Sequence, residues 1–393
     1  MLEELRPQPA DKIIEMIGLF KADTRAGKMD LGVGVYKNDK GETPIMRSVK
    51  EAEQRLVKNQ TSKSYVALAG QVDFVNFMRE MSLADSVAPE RVAGIQTPGG
   101  TGAIRQLYEL IRLANPNAKV WVSDPSWPNH VAILKYLGMP HREYAYFDRK
   151  TCSVNFDAML HDLDTVAADD VVILHGCCHN PTGANLTPAQ WEIVADHLNA
   201  RGALAMVDIA YQGFGDGLEA DAAGIRILAQ KMPEMLVAQS CSKNFGVYRD
   251  RVGAAFAISR DAEQAKLAQV NLNTLNRLNY SFPPDHGAAV LMELASDPKL
   301  VSDWKDELEA MRLEMLEKRT ALCAALRRET NSDRFDFIEN HRGMFSLTGI
   351  SPEAVLKLRD KNAIYMVHDS RINIAGLQLG RVDELAKAIA SVI

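Results

Sequence analysis

The sequence predicts an α/β fold: a largely parallel sheet covered by helices on both faces, together with a smaller α+β unit. Three observations carry this. From about Thr97 onward, short continuous apolar runs alternate with helical periods, as expected of strands buried on both faces and joined by helices. The chain has 393 residues, more than one compact core usually holds, so two domains are expected. After "YSFPPDHG" the character changes: a long mixed-charge helical stretch leads into a C-terminal part whose "GMFSLTG" and "RINIAG" read as α+β.

Taken in order, "KVWVSDPSW" reads as a strand entering a Pro-rich turn, and "DVVILHGCC" as a buried strand. "GALAMVDIAY" and "EMLVAQSCSK" are two more. Between them "TPAQWEIVADHLNARG" is helical, with Thr187 placed to cap its start and Gly202 to end it. The stretch "DPKLVSDWKDELEAMRLEMLEKRTALCAALRRET" alternates in sign around an apolar stripe, which predicts a solvated amphipathic helix. There is no internal repeat and no low-complexity segment.

The bulk properties exclude several classes. Hydrophobic residues make up 47% and charged residues 24%, with a formal net charge of −6. That balance argues against a nucleic-acid binder or an anionic-membrane binder. The N-terminal "MLEELRPQPADKIIEM" lacks the apolar centre of a secretory signal, and no run approaches the roughly 20 apolar residues of a membrane span. Five cysteines without repeated spacing do not make a disulfide framework, so a reducing cytoplasm is expected.

Candidate chemistry collects at the ends of the predicted strands, where open α/β sheets place ligands. In "TPGGTGAIRQLYELIRLA", Gly99, Gly100 and Thr101 precede an amphipathic helix, so peptide N–H groups and the helix terminus can face one anion. Neither a dinucleotide fingerprint nor a P-loop ending is present, and a single phosphate group suits the turn better than a pyrophosphate. "SDPSWPNH" puts Trp127 and His130 just past a strand end, where an aromatic can cover a flat ring or simply line a core rim. In "HGCCHNPTG", His175, Cys177, Cys178 and His179 resemble a metal cluster only superficially, since adjacent cysteines seldom reach one tetrahedral ion; no metal is expected. Asn180 lies in the turn that follows, able to donate to an oxyanion or to serve turn chemistry alone.

"MVDIAYQGF" sets Asp208 at the end of a buried strand, three residues before Tyr211. A carboxylate there needs a cation or a strong donor: a protonated heterocyclic nitrogen, a helix N-terminus or a buried histidine. "SCSKNFGVYRDRVG" supplies Ser240, Ser242, Lys243 and Arg251. A lysine in a dry pocket near other cations loses its proton readily and serves Schiff-base chemistry, while an arginine offers a fork for phosphate. A phosphate cradle, an aromatic lid, an acid for a ring nitrogen and a lysine together match the needs of pyridoxal 5′-phosphate.

On these residues the chain resembles the class I (fold-type I) aminotransferases of the aspartate/aromatic amino-acid subgroup. The likeness runs through "LGVGVYK", "GGTGA", "SDPSWPNH", "HGCCHNPTG", "DIAYQGF", "SCSKNFG", "NYSFPP", "GMFS" and "SRINIAG". Through "LNRLNYSFPP" and "YMVHDSRINIAG" it is most like the bacterial aromatic-amino-acid aminotransferases. The resemblance implies a mostly parallel seven-stranded sheet in a large cofactor domain over residues 44–305. It also implies an N-terminal arm over 1–12 and a small domain from 13–43 and 306–393.

It further implies pyridoxal 5′-phosphate as cofactor, a cytoplasmic homodimer with shared sites, and ping-pong transfer of an amino group to 2-oxoglutarate. Lys243 would hold the cofactor and shuttle the proton, and Asp208 would pair with the ring nitrogen, with His130 and His175 orienting that acid. Tyr211 and Asn180 would bind the ring oxygen, and Trp127 would stack on the ring. Gly99, Gly100, Thr101, Ser240, Ser242 and Arg251 would bind the phosphate, with Tyr65 reaching it from the neighbouring subunit. Arg371 would take the substrate α-carboxylate and Gly34 would close over the substrate. Arg277, again from the neighbouring subunit, would take the distal carboxylate of a dicarboxylic substrate.

Specificity signals conflict. Arg277 alone implies dicarboxylates, whereas Phe282 stands where the aspartate enzymes commonly have a short polar residue, and Ser64 replaces a frequent asparagine. Val35, Lys37, Thr43 and Thr101 are aspartate-type choices. The expectation is dual use of aromatic amino acids and aspartate. A dedicated aspartate aminotransferase is the alternative, and a β-lyase or a regulatory module on the same fold is further off.

Overall fold

The structure, a computed structural model, describes residues 1–7 and 12–393; of the N-terminal arm expected over 1–12, residues 8–11 lie outside the described residues. The chain divides into two compact units: residues 44–314 form one, and residues 1–43 with 315–393 form the other. The division falls inside the 33-residue helix Pro298–Thr330, at 314/315 rather than at 305/306.

The large unit carries the seven-stranded sheet. In chain order its strands are β1 (Val92–Pro98), β2 (Val120–Asp124), β3 (His141–Ala145), β4 (Val171–His175), β5 (Leu204–Ile209), β6 (Met235–Ser240) and β7 (Val252–Ile258). In space they run β1-β7-β6-β5-β4-β2-β3. β2 to β6 pair in parallel wherever they are neighbours, as do β2 and β3, while β7 is antiparallel to both β1 and β6. Every residue of β6 and β7 is buried, which is why these strands read as unbroken apolar runs rather than alternating ones.

The antiparallel β7 has a consequence for the site. Parallel neighbours need a crossover back to the opposite edge, but an antiparallel strand can start from the edge where its partner ended. Residues 241–251 therefore remain at the carboxyl edge of the parallel strands, and Val252 pairs with Pro98 while Gly253 pairs with Ser240. Arg251 is thus returned beside the start of the helix Gly99–Ala114.

That helix buries Ala103, Ile104, Leu107, Tyr108 and Ile111 in a core shared with Ile95, Val122, Ile173, Ala238 and Ala255. The helix Pro188–Arg201 begins with a reciprocal capping box, Thr187 Oγ1 accepting from Gln190 N and Gln190 Oε1 from Thr187 N. It ends where Gly202 turns left-handed at φ +67°.

In the small unit, Met29–Asp30 pairs in parallel with Ile364–Tyr365, and Phe345–Leu347 pairs antiparallel with Arg371–Asn373. Its core gathers Leu31, Leu322, Leu326, Phe335, Leu358 and Leu385. The expectation of a solvated long helix needs correction in this unit: Lys318 and Arg319 are fully buried. Periodicity places them among alternating charges, but Arg319 is drawn inward by carbonyl acceptors on the segment that follows the helix.

Gly253 tests how tightly β7 is fitted. A Cβ there would come within 2.5 Å of the Gln239 carbonyl oxygen and 2.7 Å of the Gly99 carbonyl carbon, both backbone atoms that cannot swing aside. Gly253→Ala is expected to destabilise the large unit by about 1–3 kcal/mol, the usual range for overpacking. Calorimetry on the cofactor-free protein measures it; an unchanged melting temperature would mean the strand has room to spare.

Candidate active site

The ends of β1, β2, β4, β5 and β6 and one loop meet at the carboxyl edge of the sheet. β5 delivers Asp208, which is 9% exposed and lies level with His175 of β4 and Ala238 of β6. His130, fully buried in the helix Pro128–Leu137, sets its Nε2 3.0 Å from Asp208 Oδ2. Ser126 Oγ lies 2.9 Å from His130 Nδ1 and 3.1 Å from His175 Nε2, so one hydroxyl ties the two imidazoles together. Asn180 N donates to His175 Nδ1 at 3.4 Å.

These contacts set the charges. Desolvation pushes the Asp208 carboxyl up, but the His130 hydrogen bond, then the electrostatic attraction of the neighbouring His130, His175 and Lys243, outweigh it and hold it below the usual carboxylate range. Burial lowers His175 to about 3, helped by the nearby His130 and opposed by Asp208, so its ring is neutral at physiological pH. Asp208 is therefore an anion facing the site.

Lys243 follows β6 by three residues and is half-buried, with Nζ 4.7 Å from the centre of the Tyr211 ring. Burial lowers its amine from 10.5 to about 8; Arg251 pushes the same way and Asp208 pulls back. A sizeable fraction is then neutral near physiological pH, as a nucleophilic amine requires. Tyr211 is buried after β5, and its hydroxyl accepts from Asn180 Nδ2 at 3.5 Å. Trp127 caps the start of the His130 helix, edge-on to the His130 ring at 5.3 Å.

The other half of the site is an anion cradle. Gly99 has φ +70°, and a Cβ on it would meet Arg251 Nη2 at 2.5 Å; a Cβ on Gly100 would touch Ser240 Cβ at 3.0 Å. Two glycines thus keep the helix start open beside the serines and the guanidinium, with Thr101 next along the helix. Ser240 Oγ and Ser242 Oγ are 3.2 Å apart, and Arg251 donates to Ser242 Oγ at 3.3 Å and to the Tyr248 carbonyl at 3.2 Å. Arg251 Nη1 thus bonds neutral oxygens, so its charge is available to an anion. These donors, with the amine and the buried acid, fit a phosphorylated pyridine aldehyde: donors for the phosphate, Asp208 for a ring N–H, Tyr211 and Asn180 for a ring oxygen.

Tyr65 and Arg277 form a separate group. Tyr65, 85% exposed, stacks on Phe282 with centroids 4.8 Å apart, and the exposed Arg277 lies 5.8 Å from the centre of that ring while donating to Ser281 Oγ at 2.6 Å. In the small unit Arg371 is 5% exposed, donates to the Gly32 carbonyl at 2.9 Å and lies 4.2 Å above the centre of the Phe345 ring. A Cβ on Gly34 would meet the same ring at 2.8 Å.

Two residues escaped the sequence reading. Ser126 joins the histidines, yet in "SDPSWPNH" it looks like a turn residue. Asp221 accepts from the N–H groups of Gly213, Gly215 and Asp216, shaping the turn after Tyr211. Among the described residues Cys177, Cys178 and Asp221 bring possible ligand atoms within 4.8 Å, but this carboxylate is already engaged by those three donors.

A depressed amine beside a charged acid, at the carboxyl edge of a parallel sheet and next to an anion cradle, is the chemistry of an enzyme that captures a phosphorylated carbonyl cofactor. The chain belongs to the aminotransferase class I and II family, whose model matches residues 26–389. It is 52% identical over 392 residues to the aromatic-amino-acid aminotransferase of Paracoccus denitrificans, with 100% of each chain covered. It is 40% identical over 396 residues to the aspartate aminotransferase of Escherichia coli (strain K12), again with 100% of each covered. A crystal structure of the aromatic-amino-acid aminotransferase of Burkholderia pseudomallei, covalently bound to pyridoxal phosphate, superposes with a TM-score of 0.97 at 38% identity, covering 100% of this chain and 99% of that one.

The lowered Lys243 pKa makes a stability prediction. Below about pH 8 the folded site must hold a charge it disfavours, whereas the unfolded chain keeps that proton comfortably up to 10.5. The penalty is full below pH 8 and vanishes as pH rises through 10.5. Lys243→Met should therefore raise the melting temperature of the cofactor-free protein at pH 7, with the gain shrinking between pH 8 and 10.5. A difference that does not vary with pH would contradict the desolvated amine.

Proposed function

We infer that the protein is a pyridoxal 5′-phosphate-dependent transaminase that takes aromatic amino acids and aspartate as donors and 2-oxoglutarate as acceptor, in alternating half-reactions. The observation that carries this is the Lys243 amine, depressed to about 8, in a site whose anionic acid is Asp208. When bound, the cofactor supplies an aldehyde for amino groups and an electron-withdrawing ring that acidifies the substrate Cα–H.

The chain's own residues do the rest. Lys243 Nζ would hold the cofactor and, when the substrate amine occupies that place, would act as the free base that carries the Cα proton. Asp208 holds the proton on the ring nitrogen, and His130, Ser126 and the neutral His175 fix the direction of its carboxylate. Tyr211 and Asn180 would donate to the ring oxygen, and Trp127 would cover the ring. The N–H groups at Gly99, Gly100 and Thr101, the hydroxyls of Ser240 and Ser242, and Arg251 bind the phosphate. Arg371 takes the α-carboxylate as a two-pronged fork, which aims the Cα–H bond, and the peptide at Gly34 borders the substrate.

Dual specificity is supported by the Tyr65–Phe282–Arg277 group. One patch offers an aromatic face and a cation that rests against it, so a ring side chain and a distal carboxylate can each find a partner. We further propose a cytoplasmic homodimer in which Tyr65 and Arg277 serve the neighbouring subunit's site. Their exposure supports that role, and the five cysteines are all free and buried. No helix among the described residues is long and apolar enough to cross a membrane. The dedicated aspartate enzyme is the second reading, favoured by Arg277.

A panel of half-reaction rates decides between them: phenylalanine and aspartate should both convert the cofactor's absorbance, whereas a rate for aspartate alone would select the second reading. Arg277→Leu should lower kcat/KM for aspartate about a hundredfold, as for loss of a charge-assisted pair worth roughly 3 kcal/mol, and spare phenylalanine. Equal losses on both donors would remove Arg277 from substrate recognition. Lys243→Ala should abolish turnover with either.

A further inference from the structure

We propose that Arg319 is a positioning residue for substrate capture: through the strand Phe345–Leu347 it fixes the Phe345 ring, and through that ring the Arg371 fork and the Gly34 peptide. This rests on the assignment of the substrate α-carboxylate to Arg371.

Arg319 is fully buried, and its guanidinium donates into one short segment. Nη1 donates to the Ile338 carbonyl at 3.1 Å and to Ser346 Oγ at 2.7 Å; Nη2 donates to the Gly343 carbonyl at 2.7 Å and to the Phe345 carbonyl at 2.9 Å. His341 Nδ1 lies 3.0 Å from the same Ser346 hydroxyl. A planar guanidinium can hold four acceptors at once in fixed directions, which an ammonium cannot.

The segment so held is the one against which Arg371 rests. Phe345 pairs with Asn373, Ser346 with Ile372 and Leu347 with Arg371 in the antiparallel ladder. The Phe345 ring then carries the Arg371 guanidinium 4.2 Å above its centre, and a Cβ on Gly34 would strike its edge at 2.8 Å. The ring lies close to both, so a shift of the strand moves it toward the Gly34 Cα or away from the guanidinium. Misplacing a carboxylate fork by an ångström is enough to degrade both binding and alignment.

The test uses the cofactor-loaded protein with succinate, an unreactive dicarboxylate, titrated against the cofactor's absorbance. Arg319→Lys should weaken succinate about tenfold and raise KM for phenylalanine and aspartate alike by about tenfold, with a smaller loss in kcat and unchanged cofactor affinity. Phe345→Leu should do the same, and the double variant should be no worse than the worse single, because both act through one ring. Should Arg319→Lys fail to fold, Ser346→Ala, which removes one acceptor, carries the test with a loss of about twofold to threefold. Normal succinate affinity in Arg319→Lys or Ser346→Ala, fully additive losses, or parallel loss of cofactor and succinate would each overturn the proposal. If Arg371→Leu weakens succinate while Arg319→Lys does not, this inference alone fails; if Arg371→Leu leaves succinate binding intact, the α-carboxylate assignment fails and takes this one with it.

Discussion

The charge on Asp208 is the constraint around which the large unit's site is arranged. A carboxylate at the end of a buried strand would normally take up a proton, since desolvation raises its pKa. Here the His130 hydrogen bond keeps it ionised, and His130 is itself held by Ser126, which also holds the neutral His175. One anion in a dry site does two things. It can stabilise a proton on a ring nitrogen, and it pulls the Lys243 amine back from an even lower pKa, leaving it poised between nucleophile and base.

The sheet's one antiparallel strand makes this arrangement compact. Because β7 departs from the edge where β6 ends, a single loop carries Ser242, Lys243 and Arg251, and the ladder brings Arg251 against Gly99. Amine, hydroxyls and guanidinium are thus linked by a short length of chain, and their spacing is set by β-ladder register rather than by a flexible linker. The ladder holds both ends of that loop, Gly253 against Ser240 and Val252 against Pro98.

Much of this was legible in the sequence because the signals are local. Strand ends with unbroken apolar runs, the glycine pair before an amphipathic helix, and the Thr187 and Gly202 boundaries each follow from residues adjacent in the chain. What escaped is made by residues far apart. Ser126 has no signature beyond that of a turn; its role exists only because β4 brings His175 beside it. Arg319 sits in a mixed-charge helix whose pattern predicts solvent, and its burial is decided by carbonyls that lie 19 to 26 residues further on. Nor does composition foretell that β7 runs against its neighbours, since a strand buried on both faces looks the same in either direction.

Reductive trapping followed by peptide mapping shows which lysine carries the cofactor. Treating the native protein with borohydride fixes any carbonyl cofactor to the amine that carries it, and digestion then locates the tag. One pyridoxyl group per chain is expected, on the peptide containing Lys243. A tag on any other lysine, or an untagged Lys243 in protein that had carried the cofactor's absorbance before treatment, would contradict it.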